Sequence, residues 1–146
     1  MNIKTTVYDT ATIILPKIED DRGNLTFIES LKHIPFEIER VYWIYDVPAG
    51  ASRGVYDNQT QRGGHAYRTL QEGVIALSGS FDVVLDDGAS QKITTLNRAY
   101  ECLFIPSMIW RRFQNFSTNA VAFVVASQLY NPEDYIRDYN EFIRIR

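Results

Sequence analysis

Cysteine occurs once, at Cys102, which excludes an internal disulfide and fits a reducing compartment. Histidine occurs twice, at His33 and His65, so a site with three or four metal ligands would have to draw on other residue types. No apolar run approaches the roughly 20 residues that span a bilayer. The stretch from Met1 to Asp9 has no apolar core of a secretion signal. We therefore expect a cytoplasmic protein without membrane association. Basic residues are not in excess either. Fifteen Lys and Arg against 18 Asp and Glu leave a net charge of −3, which argues against a nucleic-acid partner. No glycine-rich phosphate loop leads into a helix, and no Gly-x-Ser-x-Gly motif occurs. Repeats, low-complexity tracts and linkers are also missing, so residues 1–146 are expected to form one domain.

What is present is a β-rich pattern. Short apolar or alternating runs recur between turn signals, as in an all-β sandwich or barrel. The candidate strands are Val7–Lys17, Asn24–Glu29, Ile38–Val47, Gly73–Ser78, Ser80–Leu85, Gln91–Thr95, Glu101–Ile105, Arg111–Asn115 and Ala120–Gln128. Ser78-Gly79 and Asp86-Asp87-Gly88 read as tight hairpin turns, because Gly and Asp tolerate positive φ. The nearly unbroken apolar run from Ala120 to Ala126 predicts a strand buried on both faces. From Asn131 the pattern changes. A capping Asn, then Pro132, early acids, and Tyr135, Tyr139 and Phe142 at helical spacing predict one short C-terminal helix. Cys102, in an apolar run, reads as a small buried hydrophobe.

Between Pro48 and Gly64 lies a polar, glycine-rich segment with Arg-Gly at Arg53-Gly54 and again at Arg62-Gly63. Long loops in compact domains are usually functional or mobile. This one leads into Gly64-His65-Ala66-Tyr67, with Glu72 five residues on and Gly79 beyond. Residues i and i+2 of a strand share a face, so His65 and Tyr67 should project together. His65 has an ordinary pKa of about 6.5 and is the best candidate base near neutrality; His33, in a turn before Pro35, reads as structural. Metal ligation fares poorly, because only His65 and Glu72 remain as ligands and Arg111 stands where another is needed. We expect no metal. Eleven of the fifteen cations are arginines, and Arg53, Arg62, Arg68, Arg111 and Arg112 flank or follow the motif. Arginine's planar fork suits phosphate, which points to a phosphorylated small molecule. A histidine and a tyrosine inside a barrel suit moving a proton next to a carbonyl, with an arginine or hydroxyl stabilising the enolate.

The spacing from His65 to Gly79 resembles the first motif of the cupins, with a tyrosine in place of the second histidine. Further stretches are similar to the sugar-nucleotide 3,4-ketoisomerases over nearly the whole chain. They are Asp21-Arg22-Gly23-Asn24-Leu25, Ile34 through Tyr42, Arg62-Gly63-Gly64-His65-Ala66, Leu77-Ser78-Gly79-Ser80, Val84-Leu85-Asp86-Asp87-Gly88, Ala126-Ser127, Tyr130, and Asp134 through Tyr139. The resemblance implies a single cupin (RmlC-like) β-barrel or jelly roll with a short C-terminal helix. It implies metal- and cofactor-free conversion of a dTDP-4-keto-6-deoxyhexose to its 3-keto isomer through an enediol, in deoxysugar biosynthesis for surface polysaccharides. It also implies a homodimer with exchanged strands. His65 maps onto the family's base, and Tyr67 takes the place of its second histidine. Arg62 and Arg22 would contact substrate, Arg112 would join them, and Tyr42 or Trp110 would line the sugar or base site. Residues Val55 to Gly63 form an insertion relative to the family. Two other readings stay open, a dTDP-sugar 3,5-epimerase and a non-catalytic nucleotide-sugar-binding cupin.

Overall fold

The computed structural model describes residues 4–48 and 64–146. The Val55–Gly63 insertion, Arg53 and Arg62 lie outside the described residues. Among the described residues twelve strands and one α-helix follow one another: β1 (Ala11–Ile14), β2 (Lys17–Asp20), β3 (Gly23–Thr26), β4 (Arg40–Ile44), β5 (Ala66–Tyr67), β6 (Glu72–Ser78), β7 (Phe81–Asp86), β8 (Gln91–Leu96), β9 (Glu101–Ile105), β10 (Trp110–Gln114), β11 (Val121–Ala126), β12 (Tyr135–Ile136) and α1 (Tyr139–Ile145). A five-stranded sheet in the order β1-β9-β6-β11-β4 faces a three-stranded sheet in the order β10-β7-β8. The pairs β2-β3 and β5-β12 complete a jelly-roll-like arrangement. All strand pairs are antiparallel.

Period-two alternation builds the core. On β6, Val74 and Ala76 face the apolar interior, together with Phe81, Val83 and Leu85 of β7, Phe113 of β10 and Val124 of β11. Ile75 points the other way, into a second cluster with Leu15, Ile34, Phe36, Cys102 and Val125. The five-stranded sheet is therefore covered on both faces at its centre, as the apolar β11 sequence predicts. Cys102 is fully buried there, and burial pushes its thiol up to about 12. Gly73 permits this packing, since a Cβ on it would run into Ile34 and the Cys102 sulfur.

Three expectations are corrected. The Val7–Lys17 run is not one strand. Thr6 and Asp9 cap a short 3-10 turn over Val7–Asp9, and Pro16, which has no N–H to donate, separates β1 from β2. Ser78-Gly79 is a turn but not a hairpin. Gly79 has φ +66° and carries the chain from one sheet to the other, because β6 pairs with β9 and β11 while β7 pairs with β8 and β10. The Asp86–Gly88 turn does close the β7–β8 hairpin. The helix begins later than its composition suggests. Asn131 caps a 3-10 turn over Pro132–Asp134, Tyr135 and Ile136 become β12, and Asp138 caps α1. The Asp134 carboxylate explains the break. It accepts hydrogen bonds from the Thr69 and Leu70 amides, each at 3.0 Å, and from the Thr69 hydroxyl at 2.7 Å. These bonds fasten the segment beside β5, and Tyr135 then pairs with Tyr67.

Candidate active site

One end of the interior is polar. His65 exchanges two backbone hydrogen bonds with Arg111, of 3.1 and 2.9 Å, and the Tyr67 carbonyl accepts one from the Met108 amide at 2.8 Å. Gly64 must be glycine here, since its φ is +112° and a Cβ would strike the Arg111 carbonyl. His65 and Tyr67 share a face as the spacing predicts, with ring centroids 4.8 Å apart in an edge arrangement. Tyr135 completes an aromatic triangle, 5.2 Å from His65 and 4.6 Å from Tyr67. The Tyr67 hydroxyl donates to that of Tyr135 at 3.3 Å.

Behind the triangle lies a buried ion pair. Glu72 of β6 and Arg111 of β10 are each 1% exposed and bonded to one another. The Tyr42 hydroxyl donates to the second Glu72 oxygen at 3.1 Å. The remaining Arg111 nitrogens donate to the Ile109 carbonyl at 3.1 and 2.9 Å, so the guanidinium is held on both sides. Its centre lies 4.9 Å over the Tyr67 ring, close enough for cation–π attraction. Glu72 is thus committed to an arginine and a phenol, and a tyrosine stands two residues after His65. That donor set does not fit a metal ion.

The electrostatics follow from burial. Desolvation, reinforced by the positive charges of Arg111 and Arg137, lowers the His65 pKa from 6.5 to about 3, so the imidazole is neutral at neutral pH. Its Nε2 is buried and has no hydrogen-bond partner, the kind of orphan that structures rarely retain without a use. Tyr67 is pushed strongly upward by burial and then by Glu72 and Tyr42. Tyr42 is raised well above the usual phenol value, by burial first and Glu72 second. Both phenols stay protonated. The site therefore offers a neutral base beside a phenolic donor, backed by a fixed positive charge.

Not every residue expected from the sequence gathers here. Arg22 sits in the β2–β3 turn with a side chain 89% exposed, and Asp20 holds its guanidinium at 2.7 Å. Trp110 and Arg112 alternate with Arg111 along β10 and so face away from it. Trp110 packs against Tyr139 and Phe142, at ring distances of 5.2 and 5.6 Å, and so braces α1. Arg112 lies half-buried beside Gly64. Tyr42 does reach the site, but through Glu72. His33 is structural, its Nδ1 accepting from the Glu29 amide at 2.9 Å.

Sequence reasoning also missed residues. Arg40 lies near Tyr42, and Tyr130 and Arg137 lie near Tyr135. Their signal was two period-two pairs, Arg40-x-Tyr42 and Tyr135-x-Arg137. The second pair was hidden inside an apparent helix.

Known proteins resemble this chain in sequence and in fold. Residues 8–146 match the family described as FdtA: WxcM-like, C-terminal. The chain belongs to that family. It is 38% identical over 126 residues to the TDP-4-oxo-6-deoxy-alpha-D-glucose-3,4-oxoisomerase of Aneurinibacillus thermoaerophilus, covering 86% of this chain and 84% of the relative. The solved WlaRB TDP-quinovose 3,4-ketoisomerase of Campylobacter jejuni superposes with a TM-score of 0.84 at 38% identity, covering 94% of this chain and 99% of that one. A dTDP-4-dehydrorhamnose 3,5-epimerase from Bacillus anthracis, at 15% identity and a TM-score of 0.74 over 92% of this chain and 81% of its own, shares the fold alone. The architecture is that of the RmlC-like cupins.

Proposed function

We propose that this cupin is a TDP-sugar 3,4-ketoisomerase, with the buried, unpartnered Nε2 of neutral His65, whose ring lies against that of Tyr67, as the observation that carries the site assignment. Relatives at 38% identity have this activity, whereas the epimerase likeness extends only to the fold. On a 4-keto-6-deoxyhexose, His65 removes the C3 proton and the electron pair moves onto O4, giving an enediolate. Tyr67 donates a hydrogen bond to that oxygen, with the Arg111 charge behind its ring. His65, now protonated, delivers its proton to C4. The O3 hydroxyl loses its proton and O4 gains one, so the carbonyl ends at C3 and no atom is added or lost. A base and acid set in this way contribute on the order of 10² to 10⁴ in rate each.

The test is to mix the protein with TDP-4-keto-6-deoxyglucose in deuterated buffer and follow the sugar carbons by NMR. We expect the carbonyl to move from C4 to C3. Exchange at C3 and C5 with the carbonyl fixed at C4 would make the protein an epimerase. Binding without any exchange would make it a non-catalytic sugar binder.

The same reading takes residues 1–146 as one domain working in the cytoplasm as a homodimer. Edge strand β4 turns Val41 and Trp43 outward, with Tyr45 just beyond it, exposed by 45%, 56% and 60% respectively. Apolar groups so placed favour burial against a second copy. Light scattering should give twice the monomer mass, and a monomer at micromolar concentration would sink the assignment. Among the described residues no helix is long and apolar enough to cross a membrane.

A further inference from the structure

The turn from β9 to β10, residues 106–109, carries a strained residue next to the site. Met108 has φ +62°, a left-handed backbone that residues other than glycine seldom adopt. Such a conformation persists only where its surroundings hold it. Here three successive main-chain groups are held. The Met108 amide donates to the Tyr67 carbonyl at 2.8 Å. The Ile109 carbonyl accepts two bonds from the Arg111 guanidinium, at 3.1 and 2.9 Å. Between them, the Met108 carbonyl accepts from the guanidinium of Arg146.

Tyr67 and Arg111 belong to the site, and Arg146 does not. It stands at the end of α1, its guanidinium centre 5.6 Å from the Phe142 ring, and it also donates to the Thr5 carbonyl. Among the described residues it has no carboxylate within ion-pair distance. Its donors are spent on main-chain carbonyls, and one of these belongs to the strained turn. A charge-assisted bond is stronger than a neutral one, so it offsets strain at Met108. If Met108 left the left-handed region, its amide would swing off the Tyr67 carbonyl and the Ile109 carbonyl would turn from Arg111. The phenol and the charge behind its ring would lose their setting together, and misplacement by about 1 Å is enough to slow a reaction 100-fold.

We propose that Arg146 is a positioning residue, which clasps the Met108 carbonyl and so holds the β9–β10 turn in the conformation that sets Tyr67 and Arg111 for reaction. This rests on the isomerase reading above, in which the Tyr67 hydroxyl bonds the enediolate oxygen. Arg146 acts through the turn, 38 residues away in sequence, and no motif points to it.

Steady-state kinetics on TDP-4-keto-6-deoxyglucose and amide hydrogen exchange by NMR test the clasp on the full chain. Arg146→Met keeps the aliphatic stem and loses the donors. It should lower kcat about 10- to 100-fold with KM within about twofold, because the interaction it disturbs is made in the transition state. Arg146→Lys keeps the charge and a donor, and should recover part of that loss. In a Tyr67→Phe background the Arg146→Met change should cost under about threefold, since no hydroxyl is left to misplace. The Met108 amide should exchange at least about 10-fold faster in Arg146→Met, while the Val83 and Val84 amides of β7 keep their protection and report an intact core. Equal losses of kcat in both backgrounds would overturn the clasp, and so would an unchanged Met108 amide. If Arg146→Met does not fold, Arg146→Gln takes its place with the same expectations. Failure of the activity reading looks different. Wild type would then leave TDP-4-keto-6-deoxyglucose unchanged, while the Met108 amide still opened on loss of Arg146.

Discussion

Strands β6 and β10 each change character within a two-residue step. On β6 the inner face runs from Glu72 to Val74 and Ala76, and on β10 from Arg111 to Phe113. One end of the interior is thus filled by Phe81, Phe113, Phe116 and Leu85, and the other by an ion pair, two tyrosines and a histidine. Both ends have fully buried residues at their centre, Phe81 and Leu85 at one and Glu72, Arg111 and Tyr67 at the other, and are held by the same strands, yet they do opposite energetic work. The apolar end gains stability with each methylene removed from water. The polar end bears the desolvation of Glu72 and Arg111, which their mutual attraction roughly offsets. A fold keeps such an end for what it does, since an apolar filling of similar volume would be as stable or more so.

The largest way to break this comparison is His65→Asn. Removing the base should cost about 10² to 10⁴ in kcat while leaving thermal stability at neutral pH nearly unchanged, because one neutral polar side chain replaces another that makes no side-chain hydrogen bond through Nε2. A matching change at the other end, Phe113→Ala, should do the reverse. It should cost about 3–5 kcal/mol of unfolding free energy with kcat of the folded protein nearly intact. Urea unfolding and single-turnover rates on both variants check this. If His65→Asn keeps full activity, the polar end is not the reaction centre.

Next comes the ion pair itself. Arg111→Leu alone should destabilise by about 3–5 kcal/mol, because Glu72 is left buried and charged with only Tyr42 as donor. Adding Glu72→Leu should recover most of that stability without restoring activity. Two losses that simply add would show the pair to be stabilising in its own right, and the contrast between the two ends would weaken.

The sequence disclosed the two ends unevenly. Alternation on β6, β7 and β10 marked the apolar positions, since period two depends only on neighbours along one strand. It also brought His65 and Tyr67 to one face. The partners across the site could not be read that way. Glu72 and Arg111 are 39 residues apart and meet only through strand register, so from sequence Glu72 looked like half of a metal site and Arg111 like a flanking charge. Tyr135 and Arg137 were masked by the capping signals of Asn131 and Pro132, which serve a 3-10 turn instead of a long helix. The tertiary bonds of Asp134 override the local propensity there.

The smallest expected effect is in pH dependence, and it separates the ends without altering the site geometry. Burial first, then Arg111 and Arg137, depress the folded pKa of His65 to about 3 from 6.5. A depressed folded value means that the unfolded chain binds the proton more readily. The stability tied to neutral His65 is therefore fully present above pH 6.5 and is lost as pH falls toward 3. Wild type should lose up to about 1.4 kcal/mol per pH unit across that window relative to His65→Asn, which has no imidazole to charge. The same depression keeps the base unprotonated, so the kcat/KM profile should show no histidine-like loss centred near pH 6.5. Parallel stability curves for the two proteins between pH 6.5 and 4 would mean that His65 is far less desolvated than its surroundings imply, and a loss of kcat/KM centred at 6.5 would agree with them.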